Sequence, residues 1–163
     1  DSRGPILFTQ TRTAGLGGEI TIYKLRTMVD EPPSAEPGTD SDRITPVGRL
    51  LRRKHIDEIP QLWLVLIGHM SVVGPRPVWT DEEPLLEVRA DAWRKRWFVK
   101  PGLTGLAQIR GAGSDSPESK LRSDLEYIRR QSFSFDVYII AVQLWMIVLD
   151  IVSAVTRAKK PSR

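Results

Sequence analysis

The chain has 163 residues, 40% of them hydrophobic, which supports one domain with a modest core and argues against a second independent one. It contains no cysteine, so a disulfide framework and a thiolate metal site are excluded and a reducing compartment suits it. The net charge of +4 favours anionic partners, and with no helix-turn-helix, zinc-finger or RNA-binding signature, nucleic acid is not expected among them.

PILFTQTR (5–12) and EITIYKL (19–25) are rich in β-branched and aromatic residues, and the glycine-rich AGLGG between them predicts an antiparallel hairpin, the only substantial β structure expected. Lys24 and Arg26 end its second strand, where one of them, Lys24 foremost, is placed to reach a phosphate or hold an acid; a solvated strand end is the alternative. Residues 31–41 concentrate Pro, Gly, Ser and acid and read as a surface loop. Thr45 and Pro46 form an N-cap and first-turn pair opening a short helix through about Lys54, which carries Arg49, Arg52 and Arg53 towards the carboxylates of Asp57 and Glu58.

That carboxylate pair opens the most informative run of the chain, IDEIPQLWLVLIGHMSVVGPRPVW (56–79). Pro60 has no amide hydrogen and biases Ile59 away from helical geometry, so a helix is predicted to start at Pro60 with Asp57 and Glu58 just ahead of it. Such a pair is a common decoration of a helix N-terminus and equally a place where carboxylate and phosphate chemistry meet. Arg76, between Pro75 and Pro77, offers a planar fork with little freedom to lose, which suits phosphate, although prolines around an arginine also make plain turns. Gly68, His69, Ser71, Gly74 and Pro75 break the uncharged run as a spanning helix.

PLLEVRADAWRKRWF (84–98) has helical spacing, with Leu85, Val88, Ala92 and Trp93 on one side, and Lys100-Pro101-Gly102 ends it. A loop at 111–119 leads into a long helix from Pro117, interrupted near 131–134 before the apolar segment 135–155. There Asp136, Gln143 and Asp150 recur every seven residues as one polar stripe, and the short uncharged stretch between the aspartates favours an interfacial or core helix over a transmembrane one. Three basic clusters, at 49–54, 89–100 and 157–163, adjoin apolar or tryptophan-bearing sequence; interleaved with Trp93, Trp97 and Trp145 they fit an anionic membrane surface, with solvated helix faces as the alternative. His55 and His69 flank the apolar helix at opposite ends and make no metal pair.

These motifs, with SRGPILFTQTR (2–12), YKLRTM (23–28), DRITPVGRLLRR (42–53), KPGLTGLAQIRG (100–111) and KLRSDLEYIRRQSFSFDVYII (120–140), resemble in order the bacterial sugar transferases. These are phosphoglycosyl transferases of the inner membrane's cytoplasmic face that start polysaccharide and glycoconjugate assembly. The resemblance implies a single mixed α/β domain, mostly helical with a small N-terminal hairpin and membrane-associated. It implies transfer of a sugar 1-phosphate from a nucleotide diphosphate sugar to a polyprenyl phosphate through a covalent aspartyl intermediate. Asp57 matches the catalytic aspartate and Glu58 the glutamate beside it, with magnesium at the pair. Lys24 and Arg76 are expected on phosphate, and Asp124 and Tyr127 match acidic and aromatic positions of the family's C-terminal signature. Family members usually carry an N-terminal membrane helix ahead of the first motif matched here.

Two departures stand out. His69 occupies a position commonly aspartate, and Ala112 one commonly basic, with Arg110 nearby as a replacement cation at the phosphate site. They bear on sugar choice and catalytic vigour. The rival functions are a catalytically silent peripheral module on anionic lipid and a magnesium-dependent nucleotide-sugar hydrolase.

Overall fold

A computed structural model describes residues 2–29, 43–89, 92–111 and 116–158, with side chains to Ser153. The expected loop at 31–41, Ala112 and the end of the last basic cluster lie outside the described residues.

The hairpin pairs β1 (Leu7–Thr13) with β2 (Glu19–Leu25), Phe8 facing Lys24, Gln10 facing Ile22 and Arg12 facing Ile20. Alternate side chains of a strand share a face, and residues directly opposite share it too. Ile20 and Ile22 therefore enter a core with Leu64 and Met70, and the same face continues with Lys24, Gln10 and Arg12. One face of two strands thus supplies both a floor of core and a row of polar groups.

Helix α1 (Pro46–Arg53) starts as the sequence predicts, with Thr45 Oγ1 accepting from the Gly48 amide at 2.9 Å. A Cβ at Gly48 would lie 2.0 Å from the Thr27 carbonyl oxygen, so glycine is what lets α1 lie against the end of the hairpin. His55, at φ 54°, turns the chain out of α1 in left-handed geometry.

The helix expected to begin at Pro60 begins earlier. A 3-10 turn spans Ile56–Gln61 with Pro60 inside it, and only Leu62–Leu66 (α2) is α-helical. Three-residue periodicity places Asp57 and Glu58 in the turn's first residues.

Two short strands, β3 (Ser71–Val73) and β4 (Gly102–Thr104), form a parallel pair beyond the hairpin that the sequence does not predict. Their backbones approach so closely that a Cβ on Gly102 would sit 2.1 Å from the Gly74 nitrogen. This contact fixes Pro75-Arg76-Pro77: the Gly102 amide donates to Pro75 O at 2.9 Å, and the Thr13 amide to Val78 O at 3.0 Å.

The region 84–98 is not one helix. Helix α3 (Glu83–Arg89) is followed by a 3-10 segment, Trp93–Phe98, entered through Ala92 at φ 66°. The inward face also differs from the expected one: Leu85 and Val88 are exposed, while Leu86 and Trp93 pack with Leu121 and Leu125.

After α4 (Leu106–Ile109), α5 (Pro117–Arg130) is capped by Ser116, and α6 (Phe133–Ala158) follows the predicted break. Tyr127 ties them together, its single hydroxyl hydrogen shared between Val73 O at 3.1 Å and Asp136 Oδ1 at 2.9 Å. Gln143 accepts from Thr104 Oγ1 at 3.0 Å, so two members of the polar stripe hold α6 to the domain. Ile139 is fully buried, with Phe135 and Ile140 packed beside it, while most of the other described side chains of α6 are exposed. From Phe133 to Ser153 it is long and apolar enough to cross a membrane, and only 6% of that stretch is buried, which removes the core-helix reading.

Candidate active site

Four elements converge on a cavity of about 750 Å³: the polar row of the hairpin, residues 26–29 with α1, the 3-10 turn, and Arg76 with Trp79. Asp57 opens onto it. The residue is only 8% exposed, and among the described residues its carboxylate accepts no hydrogen bond and forms no ion pair within salt-bridge distance.

Glu58, its neighbour, is clamped. Lys24 Nζ lies 2.7 Å from its Oε1, and Arg76 grips it with Nη2 at 2.5 Å from Oε1 and Nη1 at 3.4 Å from Oε2. Burial alone would raise the Glu58 carboxyl, but Arg76 first and Lys24 second outweigh it and hold the group down at about 2. Glu58 is therefore a fixed anion at neutral pH. Burial also works against the Arg76 guanidinium, yet Glu58, and then Asp57, keep it above its usual range.

The two adjacent carboxylates are thus in different states. Glu58 is consumed as a counter-ion that orients two cations, and Asp57 stays open to the cavity beside them.

Further cations complete the wall. Arg52 Nε donates to Thr27 Oγ1 at 2.8 Å, and Arg43 and Arg26 line the same space. Arg12, absent from the expected site residues, lies over the Trp79 ring at 5.0 Å. Burial, and then the charge of Arg76, lower its guanidinium to about 10 against the pull of Glu82 and Glu58. Its only sequence signal is strand alternation with Gln10. Arg26 itself is spent on structure, donating to the carbonyls of Ser2, Arg3 and Pro5.

The remaining expected residues are elsewhere. Arg110 pairs with Glu126 at 2.6 Å and does not line the Asp57 cavity, so it does not stand in as a cation there. His69 is exposed and lines a separate cleft with Lys100 and Phe98, because α2 intervenes between it and Asp57. Asp124 is 2% exposed and accepts from Arg96 Nε at 2.7 Å; burial pushes its carboxyl up despite Arg96. Tyr127 is equally buried, its hydroxyl occupied and raised by burial and Asp136.

The basic-tryptophan cluster at 89–100 is not a membrane face at its centre. Trp93 is 1% exposed, and the indoles of Trp93 and Trp97 both donate to Glu83 Oε1 at 2.8 Å. Arg96 is buried on Asp124 and caps the Arg76 carbonyl at 2.7 Å.

Among the described residues, no group of three His, Asp or Glu side chains could hold a metal alone. A magnesium ion needs less, since it keeps waters and substrate phosphates among its ligands beside one or two carboxylates. The open carboxylate of Asp57 fits that requirement; Glu58 would join only by giving up Lys24 or Arg76.

Residues 1–150 match the family described as "Bacterial sugar transferase". A UDP-glucose:undecaprenyl-phosphate glucose-1-phosphate transferase of Caulobacter vibrioides is 44% identical over 149 residues, covering 86% of this chain and 55% of the relative. An uncharacterised sugar transferase of Bacillus subtilis is 42% identical over 139 residues, 85% of this chain and 67% of its own. A UDP-N-acetylgalactosamine-undecaprenyl-phosphate N-acetylgalactosaminephosphotransferase of Aeromonas hydrophila is 35% identical over 146 residues, 86% of this chain and 34% of its own. The chain thus spans between about a third and two thirds of the length of these relatives.

Proposed function

The chain belongs to the bacterial sugar transferase family, and on that premise we propose that it moves a sugar 1-phosphate from a nucleotide diphosphate sugar to a polyprenyl phosphate. The observation that carries this reading is the open Asp57 carboxylate beside a Glu58 already neutralised by Lys24 and Arg76.

Breaking a pyrophosphate needs a nucleophile, compensation of phosphate charge and exclusion of water. Asp57 attacks the sugar-bearing phosphorus, forming an acyl phosphate bond as the bond to the bridging oxygen breaks and the nucleoside monophosphate departs with that electron pair. The polyprenyl phosphate oxygen then attacks the same phosphorus and regenerates the carboxylate.

Glu58 serves by orientation: it holds Lys24 and aims Arg76, whose remaining N–H groups face the donor's phosphates. Arg12 and Arg52 add charge along the cavity wall. Magnesium would be held at the Asp57 carboxylate and would supply further positive charge to the pyrophosphate.

The acceptor lives in a bilayer, and the exposed apolar face of α6, with Val137, Leu144, Trp145 and Leu149, supports attachment to a membrane, which a nucleotide-sugar donor would put on the cytoplasmic side of the inner membrane.

The test is incubation of the chain with a labelled panel of nucleotide sugars, magnesium and undecaprenyl phosphate. Lipid-linked sugar is the expected product. Free sugar phosphate in its place would mark a hydrolase, and binding to vesicles without turnover a non-catalytic membrane module.

A further inference from the structure

Beside the Asp57 cavity lies a second chamber of about 260 Å³, and Arg12, Arg76, Trp79 and Gln108 line both. Its far wall is made by Asp124 and Lys120 of α5. Its polar groups are short of partners. Among the described residues, the Gln108 side-chain oxygen and nitrogen, Asp124 Oδ1 and Arg12 Nε are all buried without a hydrogen bond.

Several buried, unpaired polar atoms on the residues that line one chamber are unusual, because each costs about 1–3 kcal/mol when left unmade. The fold nevertheless holds them in place: Arg96 fixes the other oxygen of Asp124, and Gln108 sits on α4 directly after the close-packed Gly105.

The inventory of unmet groups defines what they complement. Two acceptors, Gln108 Oε1 and Asp124 Oδ1, require two donor hydrogens. The Gln108 amide and Arg12 Nε require acceptors nearby, and the Lys120 ammonium on the same wall can donate as well. A pyrimidine imide edge carries a single N–H and leaves one acceptor unmet. Adjacent ring hydroxyls each donate and accept, and they satisfy both sides.

We propose that this chamber, walled by Gln108, Asp124 and Lys120, is a subsite that binds a vicinal diol of the donor's sugar ring, and so discriminates among donors. The inference rests on the transferase reading of the Asp57 cavity. The diol has two sources, the transferred hexose and the ribose of the nucleotide.

Gln108→Met tests it, since it keeps side-chain length and removes both polar atoms. Affinity for UDP-glucose is measured by calorimetry in an Asp57→Asn background, which cannot form the covalent adduct, with and without Gln108→Met, beside its 2′-deoxyribose and 2-deoxyglucose analogues and UMP. The expected result is a loss of about tenfold for one deoxy analogue when Gln108 is retained. In Gln108→Met, UDP-glucose itself weakens to a similar degree and the deoxy penalty shrinks. Thermal stability holds or rises, because a buried unpaired amide has been replaced by an apolar group. The analogue that loses affinity identifies the source ring, and UMP weakened by Gln108→Met would agree only with ribose.

Unchanged affinity for both deoxy analogues would overturn the subsite, as would a Gln108→Met chain that is less stable yet binds UDP-glucose normally. Failure of the underlying reading is a separate outcome: no release of UMP from UDP-glucose by the parent chain under any of these conditions.

Discussion

Glu58→Gln isolates the electrostatic frame of the site. The Glu58 carboxyl is held at about 2 against an ordinary value of 4.5, and at about 1.36 kcal/mol per pH unit that difference corresponds to roughly 3 kcal/mol of stability. The side chain is only 18% exposed, so solvent screening removes little of it. Because the folded value lies below the unfolded one, this contribution is fully present above about pH 4.5 and is lost as pH falls towards 2. The glutamine variant lacks it at every pH and also leaves Lys24 and Arg76 facing one another. Urea unfolding of both chains from neutral to acid pH measures the difference. It should be about 3 kcal/mol at neutral pH and shrink steadily below about pH 4.5. A difference under about 0.5 kcal/mol, or one independent of pH down to the acid limit of folding, would refute the frame.

Arg76→Lys keeps charge and loses the planar two-point grip, so kcat/KM should fall about 10- to 100-fold with little change in unfolding midpoint; equal turnover would leave Arg76 as a turn residue. Tyr127→Phe leaves Val73 O without this partner in the core and removes the bond to half-buried Asp136, and should cost about 1–3 kcal/mol by denaturation, while donor affinity per folded molecule stays unchanged. A selective loss of donor affinity at full stability would return Tyr127 to the substrate site. Flotation should recover the chain with anionic vesicles through the bare face of α6, less so at high salt; no recovery at low salt would remove the membrane assignment.

Much of the fold is legible wherever local chemistry decides it. Thr45-Pro46 and Ser116-Pro117 start helices because the hydroxyl cap and the proline act within one turn. Lys24 can be placed on the core-facing side of its strand by alternation with Ile20 and Ile22, which is why it reaches Glu58. Pro60 misleads because a first-turn proline is equally compatible with the tighter 3-10 turn that holds it. Arg96 reads as a surface residue and Trp93 as either an apolar-face or a membrane-surface residue, and distant partners, Asp124 and Glu83, hold both inside. The parallel pair of β3 and β4 is three residues per strand, too short to show periodicity. Arg12, Trp79 and Gln108 come from three separate segments, so nothing in their neighbourhoods announces a shared chamber.

The covalent role of Asp57 is tested most directly by intact-mass analysis of the chain mixed with nucleotide sugar alone. One phosphosugar adduct per chain is predicted, released with an equal amount of nucleoside monophosphate and absent from Asp57→Asn, whose amide is a poor nucleophile. An active preparation that shows no adduct, and that releases monophosphate only when polyprenyl phosphate is added, would contradict the account and establish direct displacement.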